Sequence, residues 1–127
     1  SGACLLMRRS ALEAIAGWDE RFFLYGEDID LCRRLRDRGY SIVFEPSARA
    51  VHVEGASASR AMTLLLLTAS RIRYDRKHRR PAAVALDRAG MALGALTHMF
   101  LARGGLAARA GHARALRVAV LPNTRRR

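Results

Sequence analysis

The hydrophobic and polar positions follow a helical period in one stretch near the start of the chain. Leu31 and Leu35 recur at helical spacing between Gly26 and Gly39, and the two glycines mark the ends of the predicted helix. This helix therefore has one face to bury. Its first turn carries three carboxylates, which we call the acidic triplet: Glu27, Asp28 and Asp30.

Three other stretches have the pattern of β-strands. Residues 2–7 form a short apolar run typical of a buried strand, whereas residues 40–44 and 48–53 are rich in β-branched and apolar side chains. The order strand, helix, acidic helix, strand, strand predicts part of an α/β layer rather than a complete sheet. We read residues 2–7 as a strand already in progress, so we expect the chain to be the C-terminal piece of something longer.

A short helix is predicted over residues 11–16, between the first strand and the acidic helix. Ser10 is its candidate N-cap, and Glu13 stands three residues later, as in a capping box. Gly17 is expected to end this helix. Residues 17–23 then form an aromatic-rich loop whose rings either pack inside the protein or form a wall facing a substrate.

Residues 58–121 have a different pattern, which predicts cationic amphipathic helices. An apolar run at 62–69 continues into a basic stretch that ends at Pro81, and further helices are predicted over 82–102 and 106–120. The middle helix has an apolar stripe at Leu86, Ala89, Leu93, Leu96 and Phe100. We expect residues 122–127, a basic tail, to be disordered.

Charge separates the two parts of the chain. Residues 1–57 carry 8 Arg against 9 Asp and Glu, a net charge of −1, whereas residues 58–127 carry 15 Lys and Arg against 2 acids, a net charge of +13. Such a cationic region predicts an anionic partner, which could be lipid headgroups, a polyphosphate or nucleic acid. The alternative is a solvated, arginine-rich face.

The two cysteines, Cys4 and Cys32, do not have the spacing of a zinc site or a redox pair. We expect both to be reduced core residues in a cytosolic protein. The sequence also lacks a Walker loop, a dinucleotide fingerprint and a nucleophile elbow.

The acidic triplet has two interpretations. Carboxylates in the first turn of a helix stabilise its exposed N–H groups and its dipole. A carboxylate at the mouth of a cleft can instead act as a general base on a substrate hydroxyl. Residues on both sides of the triplet bear on this choice. In chain order they are Ser1-Gly2-Ala3, Gly17-Trp18-Asp19-Glu20-Arg21-Phe22-Phe23, Glu27-Asp28 with Asp30-Leu31, Arg33, Gly39-Tyr40, Pro46, and His52 followed by Gly55 and Ser57.

In this order and spacing, residues 1–57 resemble the C-terminal half of the GT-A catalytic domain of a family 2 glycosyltransferase, closest to rhamnosyltransferase-like bacterial members. The resemblance implies inverting transfer of a sugar from a nucleotide-sugar donor to an acceptor hydroxyl. It implies that Asp28 is the general base. Glu27 and Asp30 would be supporting or capping groups beside the acceptor, together with Trp18 and Asp19.

The resemblance also implies a donor-sugar pocket and a metal ion. Gly2 and Ala3 match small residues that line the pocket. His52 matches a histidine that completes a divalent-metal site, where Mn²⁺ or Mg²⁺ would stabilise the departing nucleotide diphosphate. The nucleotide-binding half with its Asp-x-Asp motif is not in this sequence, so we expect the chain alone to be incomplete and inactive.

The resulting expectation is a glycosyltransferase fragment of cell-envelope polysaccharide or lipid-linked glycan synthesis. We expect it to be cytoplasmic and peripheral on the inner face of the cell membrane, bound to an anionic surface. Residues 1–57 would be the catalytic part and residues 58–121 a basic helical extension. The alternatives are a non-catalytic truncated remnant, a membrane-surface binding module, or a nucleic-acid-binding protein, which only the positive charge favours.

Overall fold

A computed structural model describes Gly2 and residues 4–52, 60–101 and 105–121. The chain divides into two compact units, Ser1–Glu54 and Gly55–Arg127. The described residues form two helices in the first unit and three in the second: α1 (Arg9–Ala14), α2 (Glu27–Asp37), α3 (Arg60–His78), α4 (Pro81–Leu101) and α5 (Gly105–Val120).

A small apolar cluster joins α1 to α2 in the first unit. Ala11 and Ile15 are buried against Leu31 and Leu35. The two leucines lie four residues apart on α2 and thus share one face of the helix, as their spacing predicts. Met7 and Leu12 pack against the cluster from its edge.

The start of α1 differs from the prediction. The helix begins at Arg9, and its N-cap is Arg8, which makes no side-chain capping bond. The capping box at Ser10 and Glu13 is therefore wrong. Glu13 instead accepts a hydrogen bond from Arg9 Nε at 2.9 Å, an exposed i,i+4 pair that is available because the helix starts two residues earlier than predicted.

The end of α1 and the end of α2 have the same hydrogen-bond pattern. In α2, the Gly39 N–H donates to Arg36 O and the Tyr40 N–H donates to Leu35 O, with Gly39 at φ +84°. This is a Schellman motif, and it confirms Gly39 as the end of the acidic helix. Gly26, at φ +81°, is the N-cap of α2, as predicted.

None of the three predicted strands is formed in the described residues. Residues 5–8, 40–45 and 48–52 are irregular, and Ala3 and Val53, which fall in two of the predicted strands, lie outside the described residues. A strand exists only when its backbone pairs with a neighbour, and these segments do not form a ladder with one another. Because these segments do not pair, apolar side chains such as Val43 and Phe44 stay exposed.

The second unit consists of α3, α4 and α5, and α5 packs against both of the others. The buried positions of α5 are Gly111, Ala115 and Ala119, four residues apart, so small side chains form its interface. Pro81 begins α4 instead of only ending the preceding helix, a position that suits a residue without an N–H.

The apolar stripe of α4 does not form the core. Leu86, Leu93 and Phe100 face outward, and the buried position of this helix is Ala95. The buried residues described in α4 and α5 are thus small, and the large side chains of α4 lie outside the packed interior of the unit. None of the helices in the described residues is both long and apolar enough to cross a bilayer.

Both cysteines are free, as predicted. Cys4 is exposed and Cys32 is half-buried, so the expectation that both lie in the core is wrong. The turn at 54–57 and the basic tail at 122–127 lie outside the described residues.

Candidate active site

The acidic triplet occupies the first turn of α2, and its three carboxylates have different surroundings. Asp30 is fully buried, whereas Glu27 and Asp28 are half-buried. Because successive helical residues point about 100° apart, the three side chains leave the helix in different directions. The fold assigns Asp30 to the inside of the unit and leaves the other two beside the entry to the helix.

Asp30 belongs to a buried ion pair that links α2 to the end of α1. Arg34 Nε donates to Asp30 Oδ2 at 2.7 Å, and Arg34 Nη1 donates to the carbonyls of Ile15 and Gly17 at 2.7 and 2.8 Å. These carbonyls follow the last turn of α1, where backbone acceptors lack helical partners. We call this arrangement the Arg34 clamp. It fixes the first turn of α2 relative to the loop at 15–17.

Asp28 lies directly against Gly2. A Cβ atom at position 2 would be 2.7 Å from Asp28 Cβ and 3.2 Å from Asp28 Oδ2, a closer approach than real Cβ atoms make. Only glycine therefore fits this position without displacing Asp28. Asp28 Oδ1 accepts a hydrogen bond from the Ile29 N–H at 2.9 Å, which orients the carboxylate at the helix N-terminus.

Glu27 has one oxygen that lacks a partner. Its Oε2 is buried and makes no hydrogen bond to the described residues. A buried acceptor without a partner is costly, and such groups in native proteins are commonly completed by water or a ligand. Glu27 is thus able to accept a bond from a hydroxyl placed next to Asp28.

The loop before α2 is ordered by Asp19. Its carboxylate accepts hydrogen bonds from the Arg21 N–H, Nε and Nη2 at 3.1, 2.9 and 2.7 Å. The hydrogen bond to Asp19 is the main cause that raises the pKa of Arg21 above its ordinary value. Of the aromatic rings of this loop, Phe22 is buried, as core packing predicts, whereas Trp18 and Phe23 are exposed and a substrate-facing role for them stays a prediction.

The backbone just before α2 is strained. Tyr25 has φ +67°, and Gly26 follows at φ +81°. A bulky residue in the left-handed region is uncommon and persists only where the surrounding structure holds it. The strain lies directly before the residues that carry the candidate chemistry.

His52 does not join the other candidate residues. It is exposed, and no group of three or more His, Cys, Asp or Glu side chains comes together in the described part of the chain. The residues described here therefore do not form a divalent-metal site, and a metal role for His52 stays a prediction. Ala3, the second candidate for the sugar pocket, lies outside the described residues.

The geometry brings Gly2 next to the Glu27-Asp28 pair, which was predicted from a different motif. Asp28 is half-buried, so part of its carboxylate is exposed, and it lies beside Glu27, whose Oε2 lacks a partner among the described residues. A carboxylate in this position can bind a hydroxyl and accept its proton. Gly2 lets the backbone lie against Asp28, which takes the space that a side chain at position 2 would need.

The role of the Arg34 guanidinium was not predicted from the sequence. The signal was present, because Asp30 and Arg34 have the i,i+4 spacing of a helical ion pair. The neighbouring pair Arg33 and Asp37 has the same spacing but is exposed, at 2.9 Å. Spacing alone does not tell which of the two pairs is buried.

Comparison with known proteins agrees with the resemblance seen in the sequence. The model of the family described as glycosyltransferase-like family 2 matches residues 1–80. The N-acetylglucosaminyl-diphospho-decaprenol L-rhamnosyltransferase of Mycobacterium tuberculosis is 48% identical over 60 residues, which are 47% of this chain and 20% of the relative. No solved structure matches the chain.

Two further relatives are more distant. The rhamnosyltransferase WbbL of Escherichia coli is 38% identical over 52 residues, covering 41% of this chain and 20% of the relative. The O-antigen biosynthesis protein RfbC of Myxococcus xanthus is 39% identical over 57 residues, 45% of this chain and 4% of the relative. The chain thus spans about a fifth of the length of the first curated relatives it matches.

The family match also corrects the extent of the resemblance. The matched region is the N-terminal part of this chain and runs to residue 80, through α3, rather than ending at Ser57. The description of the chain as a C-terminal part was wrong in this respect.

Proposed function

Because the chain belongs to glycosyltransferase-like family 2, we propose that its protein transfers a sugar from a nucleotide-sugar donor to a hydroxyl of a glycan or lipid-linked acceptor, with inversion at the anomeric carbon. The observation that carries this proposal is the close contact between Gly2 and Asp28. It holds the backbone of Gly2 against the candidate base at the first turn of α2.

In the proposed reaction, Asp28 accepts the proton of the acceptor hydroxyl. The acceptor oxygen forms a bond to the anomeric carbon while the bond from that carbon to the nucleoside diphosphate breaks, which leaves the diphosphate with the electron pair. Glu27 Oε2 orients the acceptor, since this buried oxygen has no partner among the described residues. Asp30 does not touch substrate; its carboxylate is held in the Arg34 clamp.

The names of the relatives suggest the substrate class. Two of them are named rhamnosyltransferases, and one of these names contains a diphospho-decaprenol acceptor. We extend this to the present protein as an activated rhamnose donor and a polyprenyl-linked glycan acceptor of the cell envelope. Trp18, exposed beside the ordered Asp19 loop, would contact the acceptor sugar.

The remaining parts of the proposal concern metal, domains and location. A divalent ion with His52 as a ligand requires groups other than those described here, so no step is assigned to it. We propose residues 1–57 as the catalytic part and residues 58–121 as a basic helical extension. The net charge of +13 after residue 57 supports a cytoplasmic protein that is peripheral on the inner membrane face.

Replacing Asp28 tests the catalytic assignment. In the polypeptide as its gene encodes it, we expect Asp28→Asn to lower kcat for rhamnose transfer at least about a hundredfold, since an amide cannot accept the proton. Transfer is measured from a nucleotide-linked rhamnose to a lipid-linked sugar. Asp37→Asn is the matched control, because Asp37 lies on the same helix in an exposed ion pair with Arg33.

Full activity in Asp28→Asn would assign the base elsewhere. If the unchanged protein transfers no sugar from any nucleotide donor, the chain is better described as a non-catalytic remnant or a binding module.

A further inference from the structure

The outward face of α4 has no charged side chain. Leu86, Leu93 and Phe100 lie one above the other at seven-residue spacing and are 74%, 64% and 74% exposed. The other exposed residues of this helix are apolar, small or uncharged: Pro81, Ala82, Ala85, Ala89, Gly90, Leu96, Thr97, His98 and Leu101. A helix on the surface of a soluble protein normally shows the opposite arrangement, with polar residues outward.

The two charged residues of α4 are both engaged with the neighbouring helices. Asp87 pairs with Arg71 of α3 at 3.6 Å and with Arg79, which follows α3. Arg88 donates through Nε to the carbonyl of Ala119, at 2.7 Å, at the end of α5. The helix therefore directs its charges into the three-helix unit and its large apolar side chains away from it.

A contiguous apolar stripe of this kind is expected to be covered by something. The charge of the unit limits the choice, because residues 58–127 carry +13. A second copy of the chain would bring two such charges together, which is unfavourable. An anionic bilayer surface supplies both an apolar medium and opposite charge. Exposed arginines of α3 and α5 are available for headgroups: Arg76, Arg109, Arg114 and Arg117.

We infer that α4 is the membrane-docking element of this protein and lies in the plane of an anionic bilayer with Leu86, Leu93 and Phe100 inserted among the acyl chains. This rests on the proposed peripheral location and specifies the helix that provides it. Insertion is parallel to the surface, since no helix in the described residues can cross the membrane. Docking by α4 would hold the protein at the surface where a lipid-linked acceptor resides.

A tryptophan placed on α4 tests insertion directly. The chain has a single tryptophan, Trp18, so Phe100→Trp in a Trp18→Phe background provides one reporter. We expect its emission to shift to the blue and to be quenched by brominated lipid on addition of phosphatidylglycerol–phosphatidylethanolamine vesicles. Phe44→Trp in the same background is the control, since Phe44 is equally exposed but lies in the first unit.

Removing apolar side chains from the face tests its contribution to affinity. The double variant Leu93→Gln/Phe100→Gln keeps residues that suit an exposed helix, and we expect it to lower vesicle partitioning at least about tenfold because two large apolar side chains no longer insert. Phe44→Gln is the matched control and should bind vesicles normally. Circular dichroism checks that each variant keeps its helix content.

Three outcomes would overturn the inference. The first is vesicle binding that salt abolishes while the emission of the tryptophan at position 100 does not shift, because the protein would then adsorb by charge alone. The second is a lipid-independent dimer that Phe100→Gln dissociates, because a second copy would then cover the face. The third is equal binding by the double variant.

Failure of this inference can be told apart from failure of the proposed function. Asp28→Asn should dock on vesicles normally, and Leu93→Gln/Phe100→Gln should transfer sugar normally to a water-soluble acceptor. Loss of docking in Asp28→Asn would contradict the assignment of docking to α4.

Discussion

At the scale of single residues, two backbone positions decide the local geometry of the first unit. Gly2 lets the chain approach Asp28 within a distance that excludes any Cβ atom. Ala16 adopts φ +57°, a left-handed conformation that L-residues other than glycine rarely take. The first position holds the backbone against the candidate base, and the second costs stability.

Gly2→Ala should displace Asp28. The new methyl group would meet Asp28 Cβ at 2.7 Å, and a Cβ atom can move only with its backbone. A shift of this kind misplaces the base, so we expect kcat of the complete protein to fall about ten- to a hundredfold. Gly90→Ala is the control, because a Cβ there meets nothing within 4 Å. Wild-type kcat in Gly2→Ala would mean that this contact does not position the base.

Ala16→Gly should stabilise the chain. The Ala16 N–H donates to Glu13 O and the Gly17 N–H donates to Leu12 O, which makes Ala16 the residue of the Schellman motif that is usually glycine. Relief of the strained φ, less the extra chain entropy of glycine, gives an expected gain of about 0.5–1 kcal/mol in the free energy of unfolding. Urea denaturation measures it. A loss of stability would argue against the left-handed conformation.

At the scale of elements, ion pairs connect helices that share few large apolar contacts. The Arg34 clamp joins α2 to the end of α1, and its carboxylate is fully buried. A second cluster joins α3 to α4, where Arg79 lies 3.5 Å from Asp75 and also pairs with Asp87. In both clusters an arginine pairs with a carboxylate four residues earlier and also binds an acceptor of another segment.

Arg34→Ala should destabilise the first unit strongly. It leaves the Asp30 carboxylate buried without its cation and the carbonyls of Ile15 and Gly17 without this donor, a loss of about 3–5 kcal/mol. Arg33→Ala is the control, since Arg33 pairs with exposed Asp37 and should cost no more than about 0.5 kcal/mol. Denaturation of the two variants compares them. Equal effects would mean that burial does not distinguish the pairs.

Asp75 should make the second unit sensitive to pH. Burial raises the pKa of Asp75 above its ordinary value of 3.8, and the nearby Asp87 raises it further. Asp75 Oδ2 has no partner among the described residues, so a proton shared with Asp87 would satisfy it. The folded unit holds this proton to higher pH than the unfolded chain does, so the stabilisation is complete below about pH 3.8 and is lost as the pH rises through the raised value.

We therefore expect α3 and α4 to be more stable at about pH 4 than at neutral pH. Amide exchange in these helices, corrected for the intrinsic effect of pH, measures this difference. Asp75→Asn should remove the dependence, because an uncharged amide can donate to Asp87 at both pH values. Stability that rises with pH in the unchanged protein would contradict the direction of the shift.

At the scale of the whole molecule, charge is divided unequally between the two parts of the sequence. This division was the basis for considering nucleic acid as an alternative partner. Charge alone predicts non-specific binding to DNA. Because binding releases counterions from the phosphates, the affinity falls steeply as the salt concentration rises. The apolar face of α4 has no role in such binding.

We expect short DNA duplexes of different sequence to bind the chain equally and to be released between about 50 and 200 mM salt. Vesicle binding should be less sensitive to salt, because apolar insertion contributes to it. Fluorescence anisotropy and vesicle flotation at matched ionic strength compare the two. Sequence-selective binding of DNA at the higher salt would support the nucleic-acid alternative instead.

The sequence predicted the helices better than it predicted the strands. The two ends of α2 were predicted from Gly26 and Gly39. Both glycines adopt a left-handed conformation, which cannot continue an α-helix, so the helix boundary depends on these residues alone. Residues 40–44 have the composition of a strand and are irregular, since a strand depends on a partner that composition does not provide. The acidic triplet was recognised as a candidate site, but the burial of Asp30 by Arg34 was not.

Local chemistry and order were determined by the sequence itself: where a helix can begin and end, which residues carry charge, and which motifs occur in the order seen in a glycosyltransferase. Only the tertiary structure decided which of two identically spaced ion pairs is buried, that Gly2 lies against Asp28, and that the leucines of α4 face outward. These depend on contacts between residues distant in the chain. In the second unit the buried residues described in α4 and α5 are small, and the larger side chains of α4 lie outside that packed interior.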